Sequence, residues 1–319
     1  MIRPRHSLIP FYTAMLCVAV TVCLAGLAAP ASARVLLVGP GRPLKLPSQA
    51  AALAQRGDTV RIDPGVYQDC SVWRASGLTI LGASLNVVVA SRTCLDQAIF
   101  VIYGNDITVQ GITFRDATVP GRNGAAIKAL GDNLTVRNSR FEHNENGILT
   151  GGSPASTIRI QDSTFVGNGA CIFACAHAVY AGPVGMLDVE RSVFLDTRTA
   201  HHIKSRAHRT IVRDCRIEDG PTGTSSYLIE TPIGGDLLVE HNVLEKGPNS
   251  SNHDAAISIG AEGVANPTAS LVVRDNMFRN DLPQPTTFVR NGTQTPAQLT
   301  DNKVSGQVRM LEGPGSVSP

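Results

Sequence analysis

Charged side chains are scarce in this sequence: Asp, Glu, Lys and Arg make up 17% of its 319 residues, against roughly 25% in ordinary soluble domains. The scarcity argues against helical bundles and coiled coils, which need dense Glu, Lys and Arg. Hydrophobic residues make up 43%, which excludes a disordered, solvated chain. The 30 glycines and 19 prolines indicate a chain that turns often.

The sequence also lacks an excess of basic residues. Its formal net charge is +2, and the two surplus positive charges, Arg3 and Arg5, stand at the start of the chain. Without them the 28 Lys and Arg become 26, equal to the 26 Asp and Glu. Binding to nucleic acid relies on a basic surface that neutralises phosphates, so we predict no nucleic-acid partner.

Residues 1–33 have the pattern of a secretory signal peptide. Arg3 and Arg5 precede an uncharged apolar run, and Ala31–Ala33 (ASA) is an A-x-A cleavage pattern. The alternative is an uncleaved membrane anchor, but small residues end the run and no second apolar stretch of about 18 residues follows. We therefore predict a periplasmic or extracellular protein with no membrane span after cleavage.

Five cysteines follow the predicted cleavage site, and an exported chain enters an oxidising compartment that favours disulfides. The simplest pairs are Cys70 with Cys94 and Cys171 with Cys175. This pairing leaves Cys215 as a small buried thiol. Alternatively, the second pair and a nearby histidine could ligate a metal, but the spacing is loose and no fourth ligand is evident. We predict no metal site.

An eight-residue pattern recurs along the chain: apolar, any, apolar, polar, polar or Gly, small or polar, any, apolar. The final positions of its copies are separated by 29, 27, 24, 29, 23, 27, 34 and 26 residues. The copies are Leu78–Leu85, Ile107–Phe114, Leu134–Phe141, Ile158–Phe165, Leu187–Phe194, Thr210–Ile217, Leu237–Leu244, Leu271–Phe278 and Ala297–Val304. Intervals of this size indicate a solenoid, in which each repeat buries its apolar face only against its neighbours.

A shorter segment with an apolar centre follows most copies, and its period-two alternation predicts a short strand. In a parallel β-helix, coils stack about 4.8 Å apart. The apolar central residues of these short segments would then stack into one column. The predicted column comprises Ile127, Ile148, Val179, Ile203, Ile229 and Ile257. Small polar residues at the sixth position of the longer copies should form a hydrogen-bonded ladder. The predicted ladder comprises Ser139, Ser163, Ser192, Cys215, Asn242 and Asn276.

The open ends of such a column expose strand edges that must be covered. Ser48–Arg56 is predicted as a short capping helix with Ser48 as its N-cap and Gly57 just past its end. The predicted parts of the chain are a signal peptide (1–33), an N-terminal strand and capping helix (34–56), the parallel β-helix (57–306) and a flexible tail (307–319).

Two segments resemble a known family. Gly57–Tyr67 (GDTVRIDPGVY) and the following Leu78–Gly82 (LTILG) resemble the opening coil of right-handed parallel β-helix proteins of the pectate-lyase-like superfamily. With the repeats, the resemblance covers nearly all of the chain after residue 33 and implies an all-β, right-handed solenoid. The family includes lyases, epimerases, glycoside hydrolases and non-catalytic adhesins, so the fold alone does not choose an activity.

The densest cationic segment of the chain is Ala200–Arg209 (AHHIKSRAHR). By alternation, His202, Lys204 and Arg206 should point outward from one short strand, and Tyr180 should lie on the preceding coil. Further candidate substrate-binding residues on or beside this face are Lys128, His177, His201, Glu230 and His253.

This set of side chains suits β-elimination at a uronate, which needs a cation for the carboxylate, a base for the C5 proton and an acid for the leaving O4. Ile203–Ser205 (IKS) resembles the lysine–serine element of some β-helical alginate lyases, in which the lysine is the base. The resemblance implies Lys204 as base. We assign Arg206 or His202 to the carboxylate and Tyr180 to the acid.

Several observations keep other functions open. In those lyases the following coil presents an arginine, whereas the matching residue here is Glu230, which could instead form a surface ion pair with Lys204. The alternative to a lyase is therefore a non-catalytic carbohydrate-binding or cell-surface structural protein. The Asp and Gly-His-Gly pattern of polygalacturonase-like hydrolases and the Asp-Pro-His-Asp element of epimerases are absent, so those activities are less favoured.

The predicted partner is an acidic polysaccharide, and the sequence does not name the sugar or the oligomeric state. The calcium-binding repeat Gly-Gly-x-Gly-x-Asp is also absent. We predict no cofactor, and calcium is left open without support.

Overall fold

The protein is a stack of short coils, and most coils contribute one strand to each of three parallel sheets. The computed structural model describes residues 1–2, 33–172 and 174–319, so nearly all of the predicted signal peptide lies outside the described residues. Residues 33–319 form one compact unit. That unit is a right-handed β-solenoid of about 11 turns, which confirms the predicted all-β, right-handed parallel β-helix.

The three sheets take their strands from successive coils. The strands of sheet 1 are Val35–Val38, Thr59–Ile62, Thr79–Gly82, Ile107–Gln110, Leu134–Arg137, Thr157–Gln161, Met186–Glu190, Arg209–Arg213, Asp236–Glu240, Leu271–Arg274, Ala297–Thr300 and Gly315–Ser318. The strands of sheet 2 are Ser71–Trp73, Ala98–Ile102, Ala125–Ala129, Asn146–Thr150, Val179–Ala181, Ile203–Ser205, Ile229–Thr231, Ala255–Ile259, Thr286–Asn291 and Val308–Glu312. The strands of sheet 3 are Gly65–Tyr67, Val87–Ala90, Thr113–Arg115, Arg140–Glu142, Thr164–Val166, Val193–Leu195, Arg216–Glu218, Val243–Lys246, Met277–Asn280 and Lys303–Ser305.

The predicted aliphatic column is confirmed on the inner face of sheet 2. Its six members pair in register on successive strands, from Ile127 with Ile148 to Ile229 with Ile257. All six side chains are fully buried. Each such burial stabilises the fold by roughly 1.5–3 kcal/mol, and it fixes the alternate residues of the same strands on the outer face.

The first copy of the long repeat departs from the predicted stacking. Its last residue, Leu85, is 49% exposed. Val89 takes the stacked place instead and pairs with Phe114. The reason is a turn, closed by the Val87 N–H donating to Ser84 O at 3.0 Å, which lengthens this coil before it enters sheet 3.

The small polar ladder is confirmed as a continuous run of hydrogen bonds along one turn. The backbone N–H of each member donates to the side chain of the next, and the pairs are Ser139 with Ser163 (3.3 Å), Ser163 with Ser192 (3.2 Å), Ser192 with Cys215 (3.5 Å), Cys215 with Asn242 (2.8 Å) and Asn242 with Asn276 (3.0 Å). Each rung satisfies an N–H that the turn buries. Cys215 is the free cysteine of the described residues, and burial raises the pKa of its thiol to about 12.

Replacement of Cys215 tests the ladder directly. Cys215→Ser keeps an acceptor for the Ser192 N–H, so the free energy of unfolding should change by less than about 1 kcal/mol. Cys215→Ala is close to serine in size but has no acceptor, so it should cost about 1–3 kcal/mol. Urea unfolding followed by circular dichroism measures both, and equal effects of the two variants would contradict a hydrogen-bonded ladder.

The capping helix begins and ends earlier than predicted. It spans Pro47–Leu53 rather than Ser48–Arg56. Proline fits the first helical position, where its missing N–H has no partner to lose, and Gln49 Oε1 accepts from the Leu46 N–H at 3.3 Å. The backbone becomes extended at the residue after the helix. No helix of the described ranges has the length and apolar character needed to cross a membrane.

The flexible tail predicted over residues 307–319 is wrong, because this segment adds strands to two sheets. Val308–Glu312 pairs with Thr286–Asn291 in sheet 2, and Gly315–Ser318 pairs with Ala297–Thr300 in sheet 1. Backbone groups alone provide this pairing, so it does not require the apolar pattern that marks the earlier coils.

Two disulfides join the cysteine pairs named from the sequence. Cys70 is bonded to Cys94 and Cys171 to Cys175. The second bond closes a small antiparallel hairpin of Ala170–Cys171 with Cys175–Ala176. Because both cysteines of this hairpin are bonded, their thiolates are not available for the alternative metal site.

Candidate functional site

A row of outward-facing side chains runs along sheet 2, and we call it the outer row. Register pairing puts its members side by side on successive strands in the order Val101, Lys128, Leu149, Tyr180, Lys204, Glu230, Ser258 and Arg290. Neighbouring strands lie about 4.8 Å apart. Tyr180, Lys204 and Glu230 are therefore immediate neighbours on one surface.

Arg206 adds a second cation to the middle of the outer row. It follows the strand Ile203–Ser205, and its backbone N–H donates to Ala181 O at 2.9 Å, which holds it against the preceding coil. Its Nε donates to the phenolic oxygen of Tyr180 at 2.8 Å. A permanent positive charge thus lies against the oxygen that becomes negative if Tyr180 gives up its proton.

Lys204 lies between two carboxylates. Its Nζ is 3.0 Å from Glu230 Oε2 and 2.7 Å from Glu262 Oε1. Burial opposes the charge on Lys204, but the hydrogen bond to Glu262 and the charge of Glu230 outweigh it and raise the lysine pKa above its ordinary value of 10.5. Lys204 is therefore protonated at neutral pH, so it can donate a proton or attract an anion.

The ion pair between Lys204 and Glu230 forms, but it does not lie on a solvated surface. The Glu230 side chain is 4% exposed. Burial opposes ionisation of Glu230, but contacts with His201 and Lys204 outweigh it and lower the carboxyl pKa. His201 Nε2 and Lys204 Nζ each lie 3.0 Å from Glu230 Oε2, but neither contact has the geometry of a good hydrogen bond. The attraction is therefore mainly electrostatic.

Two neighbouring imidazoles, tilted by 32° to each other, line the edge of the cluster. His177 and His201 have ring centroids 4.8 Å apart. His177 Nδ1 accepts from the His201 backbone N–H at 3.2 Å, and His201 Nδ1 accepts from the Tyr227 N–H at 3.1 Å. An imidazole whose Nδ1 accepts a hydrogen bond carries its proton on Nε2. Burial and nearby positive charge hold the pKa of His177 well below 6.5, so His177 is a neutral hydrogen-bond donor next to Tyr180.

The prediction that His202 faces outward is wrong. Its side chain is fully buried, with Nδ1 2.8 Å from Thr197 Oγ1 and Nε2 3.0 Å from Asp219 Oδ1. Thr199 and Ala200 both have positive φ, of 51° and 54°. The chain therefore turns just before the strand, and the alternation that places Lys204 outward does not extend back to His202.

Two other predicted binding residues lie away from the cluster. Lys128 is on the outer row three strands before Lys204, and it makes no ion pair with any residue of the described ranges. His253 is exposed in the loop before Ala255–Ile259, where its Nδ1 contacts the Gln284 side-chain amide. The structure brings together Tyr180, Lys204, Arg206, Glu230, His177 and His201. It leaves Lys128 and His253 outside this cluster.

Glu262 is the member of the cluster that the sequence reasoning missed. It reaches back over two coils, and its carboxylate contacts both Lys204 Nζ and the Arg206 guanidinium. A signal was present: the longest interval between repeat copies, 34 residues, contains the loop that carries Glu262. In the described part of the chain, no cluster of His, Cys, Asp and Glu is arranged to hold a metal ion.

Comparisons with known proteins agree with this architecture. The family description "Right handed beta helix region" matches residues 48–178, and no curated protein is similar enough in sequence to count as a match. An alginate lyase from Paenibacillus sp. str. FPU-7 is similar in structure, with a TM-score of 0.70 and 16% identity over 88% of this chain and 99% of that one. A pectin methylesterase from Aspergillus niger has a TM-score of 0.50 and 12% identity over 88% and 87%.

At these identities the likeness establishes the fold alone. The chain is a right-handed parallel β-helix protein.

Proposed function

We propose that this protein is exported and acts on an acidic polysaccharide, cleaving it beside a uronate by β-elimination. The observation that carries the proposal is the grouping of Tyr180, Lys204 and Arg206 on one outer face, with the guanidinium donating to the phenol. The similar fold of an alginate lyase supports a uronan as the substrate class. The two disulfides fit an oxidising compartment.

Each group on this face has a chemical role in the proposed reaction. Tyr180, as the phenolate beside Arg206, takes the C5 proton, and the electron pair forms the C4–C5 double bond. The C4–O4 bond breaks, and protonated Lys204 gives its proton to the leaving oxygen. Arg206 offsets charge that grows on the substrate carboxylate as the C5 proton leaves. Proton exchange with water then restores both groups.

These roles reverse the ones assigned from the sequence, which predicts Lys204 as base and Tyr180 as acid. The raised pKa of Lys204 leaves it protonated, because two carboxylates face it, and a protonated amine cannot accept the C5 proton. Tyr180 is then the group on this face proposed to accept the C5 proton, with Arg206 Nε 2.8 Å from its oxygen.

A non-catalytic carbohydrate-binding protein is the second candidate, and the charge balance of the cluster favours it. Lys204 and Arg206 are both matched by carboxylates, since Glu230 and Glu262 contact them. A face with balanced charge can bind sugar hydroxyls through these groups without performing elimination.

Incubation with alginate, pectate and a glucuronan distinguishes the two candidates. Elimination creates a double bond next to the carboxylate, so ultraviolet absorbance should rise with at least one of the three polymers and stay flat with neutral dextran. If no uronan gives unsaturated product while binding to a uronan is retained, the lyase proposal fails and the binding protein remains.

Lys128 should bind a more distant sugar of the same chain. It lies three strands, about 14 Å, from Lys204 on the outer row, and it is free to pair with a uronate. Lys128→Ala should raise KM for long uronans roughly tenfold, the value of one hydrogen bond to a charged group, and leave KM for a disaccharide or trisaccharide unchanged. Equal KM changes for long and short substrates would contradict this placement.

A further inference from the structure

We propose that Glu262 occupies the subsite for the substrate carboxylate, so that the protein carries an internal competitor that an incoming uronate must displace. The inference rests on the proposed function, because it takes a uronate as the ligand of this face. It adds the position at which the carboxylate binds and the residue that controls access to it.

The geometry of Glu262 is that of a bound carboxylate. Oε1 lies 2.7 Å from Lys204 Nζ, and Oε2 contacts the Arg206 guanidinium. One carboxylate thus spans the two cations, which stand two residues apart at the end of one strand. A uronate carboxylate has the same pair of oxygens and the same charge, so it can make both contacts in place of Glu262.

The cations do not depend on Glu262 for their positions. Lys204 keeps its contact with Glu230, and Arg206 keeps its hydrogen bond to the Tyr180 oxygen. Each cation therefore has one buried or half-buried partner within the strands and shares Glu262 as a second. Removal of Glu262 takes one contact away from each cation. Both lost contacts were made to the same carboxylate, so the two cations then face the position that this carboxylate held.

Glu262 is also the partner that can leave. Its side chain is 42% exposed, whereas that of Glu230 is 4% exposed. The backbone around it is held separately, because the Glu262 N–H donates to Pro232 O at 2.7 Å and Asn266 Nδ2 donates to Arg206 O at 3.0 Å. The carboxylate can therefore swing into solvent by side-chain rotation while its loop stays anchored.

A ligand that displaces Glu262 must replace the negative charge that Glu262 places beside Lys204 and Arg206. A polyuronate replaces the Glu262 carboxylate with its own, so the two cations stay paired. A neutral polysaccharide that displaced Glu262 would leave Arg206 with no carboxylate and Lys204 with Glu230 alone. The subsite therefore favours polymers with a carboxylate on the sugar ring.

Binding of oligouronates prepared from alginate and from pectate, measured by calorimetry, tests this inference without requiring turnover. Glu262→Gln removes the competing charge and keeps the size of the side chain. We expect it to bind the preferred oligouronate roughly tenfold more tightly than the wild-type protein, as expected for removing one charge-assisted contact. Where turnover is observed, KM should fall by a similar factor. The matched control is Glu240→Gln, which removes a carboxylate paired with Arg274 on sheet 1 and should leave binding unchanged.

The outcomes separate this inference from the proposed function. Tighter binding by Glu262→Gln with no turnover by any variant keeps the subsite and removes the lyase. Equal or weaker binding by Glu262→Gln overturns the inference even if the wild-type protein is an active lyase, because Glu262 would then orient the cations rather than compete for them. Failure of both proteins to bind any oligouronate overturns both proposals.

Discussion

Lys204→Ala should lower kcat on the responsive uronan by roughly 10²–10⁴-fold, the usual contribution of a positioned proton donor. The lysine is the group that the cluster holds protonated, because Glu230 and Glu262 face its ammonium. Without it the leaving O4 has no positioned acid. Initial rates of unsaturated product, with circular dichroism to confirm folding, measure the effect.

The matched control for this variant is Lys128→Ala, which removes a cation from the same outer row three strands away. It should change kcat by less than about threefold, since its contact serves binding rather than proton transfer. Turnover by Lys204→Ala within about threefold of the wild-type rate would show that the amine takes no part in the chemistry.

The pH dependence of turnover by the wild-type protein gives a second readout of the proposed role of Lys204. The pKa of Lys204 is raised above 10.5, so Lys204 stays protonated through the neutral and mildly alkaline range. The rate should therefore not fall between about pH 7 and pH 9, whereas a catalytic base with a lowered lysine pKa would give a rise in activity that Lys204→Ala removes.

Asp219→Ala should destabilise the fold by about 3–5 kcal/mol, because each buried donor left without an acceptor costs about 1–3 kcal/mol. Asp219 is fully buried, with Oδ1 3.0 Å from His202 Nε2, and its Oδ2 accepts from Gly247 N–H at 3.2 Å and contacts the Ser250 hydroxyl. Its removal leaves three buried donors without an acceptor. The midpoint of urea unfolding measures the loss.

A matched control for Asp219 is Asp162→Asn. Asp162 pairs with Arg191 at 2.8 Å, but its side chain is 39% exposed, and surface pairs contribute about 0–1 kcal/mol. Asn is chosen because Asp162 has a φ of 51°, which Asn adopts more readily than Ala. If Asp219→Ala shifted the midpoint no further than Asp162→Asn, the buried network would not stabilise these coils.

Acid should weaken the same buried network. Burial opposes ionisation of Asp219, but hydrogen bonds from His202 and Ser250 outweigh it and lower its pKa from 3.8 to about 2. A lowered carboxyl pKa contributes stability that is fully present above the unfolded value of 3.8 and is lost as the pH falls towards about 2. Asp219→Ala should therefore lose less stability than the wild-type protein over that range.

The aliphatic column and the polar ladder could be predicted from the sequence because the pattern that marks each of them is local and repeated. Ile148 and Ile203 each stand at the centre of an alternating segment, and stacked strands pair such centres regardless of the loops between them. Cys215 could be placed in the ladder because it takes the position that Ser192 and Asn242 hold on the neighbouring coils. A recurring position needs no knowledge of the intervening turns.

The parts of the site that could not be predicted depend on turns and insertions. His202 faces inward because Thr199 and Ala200 adopt positive φ, which nothing in their side chains demands. Glu262 reaches Lys204 from 58 residues further along the chain, over a loop whose path has no periodic pattern. The length of the interval indicates that an insertion exists, but not where its carboxylate lies.

A crystal structure of the Tyr180→Phe variant with a bound oligouronate tests the central claim most directly. We expect a sugar chain along the outer row of sheet 2, with one uronate carboxylate within hydrogen-bonding distance of Arg206 and the Glu262 side chain turned out to solvent. An oligouronate bound on sheet 1 or sheet 3, or bound on sheet 2 while Glu262 still contacts both cations, would contradict it.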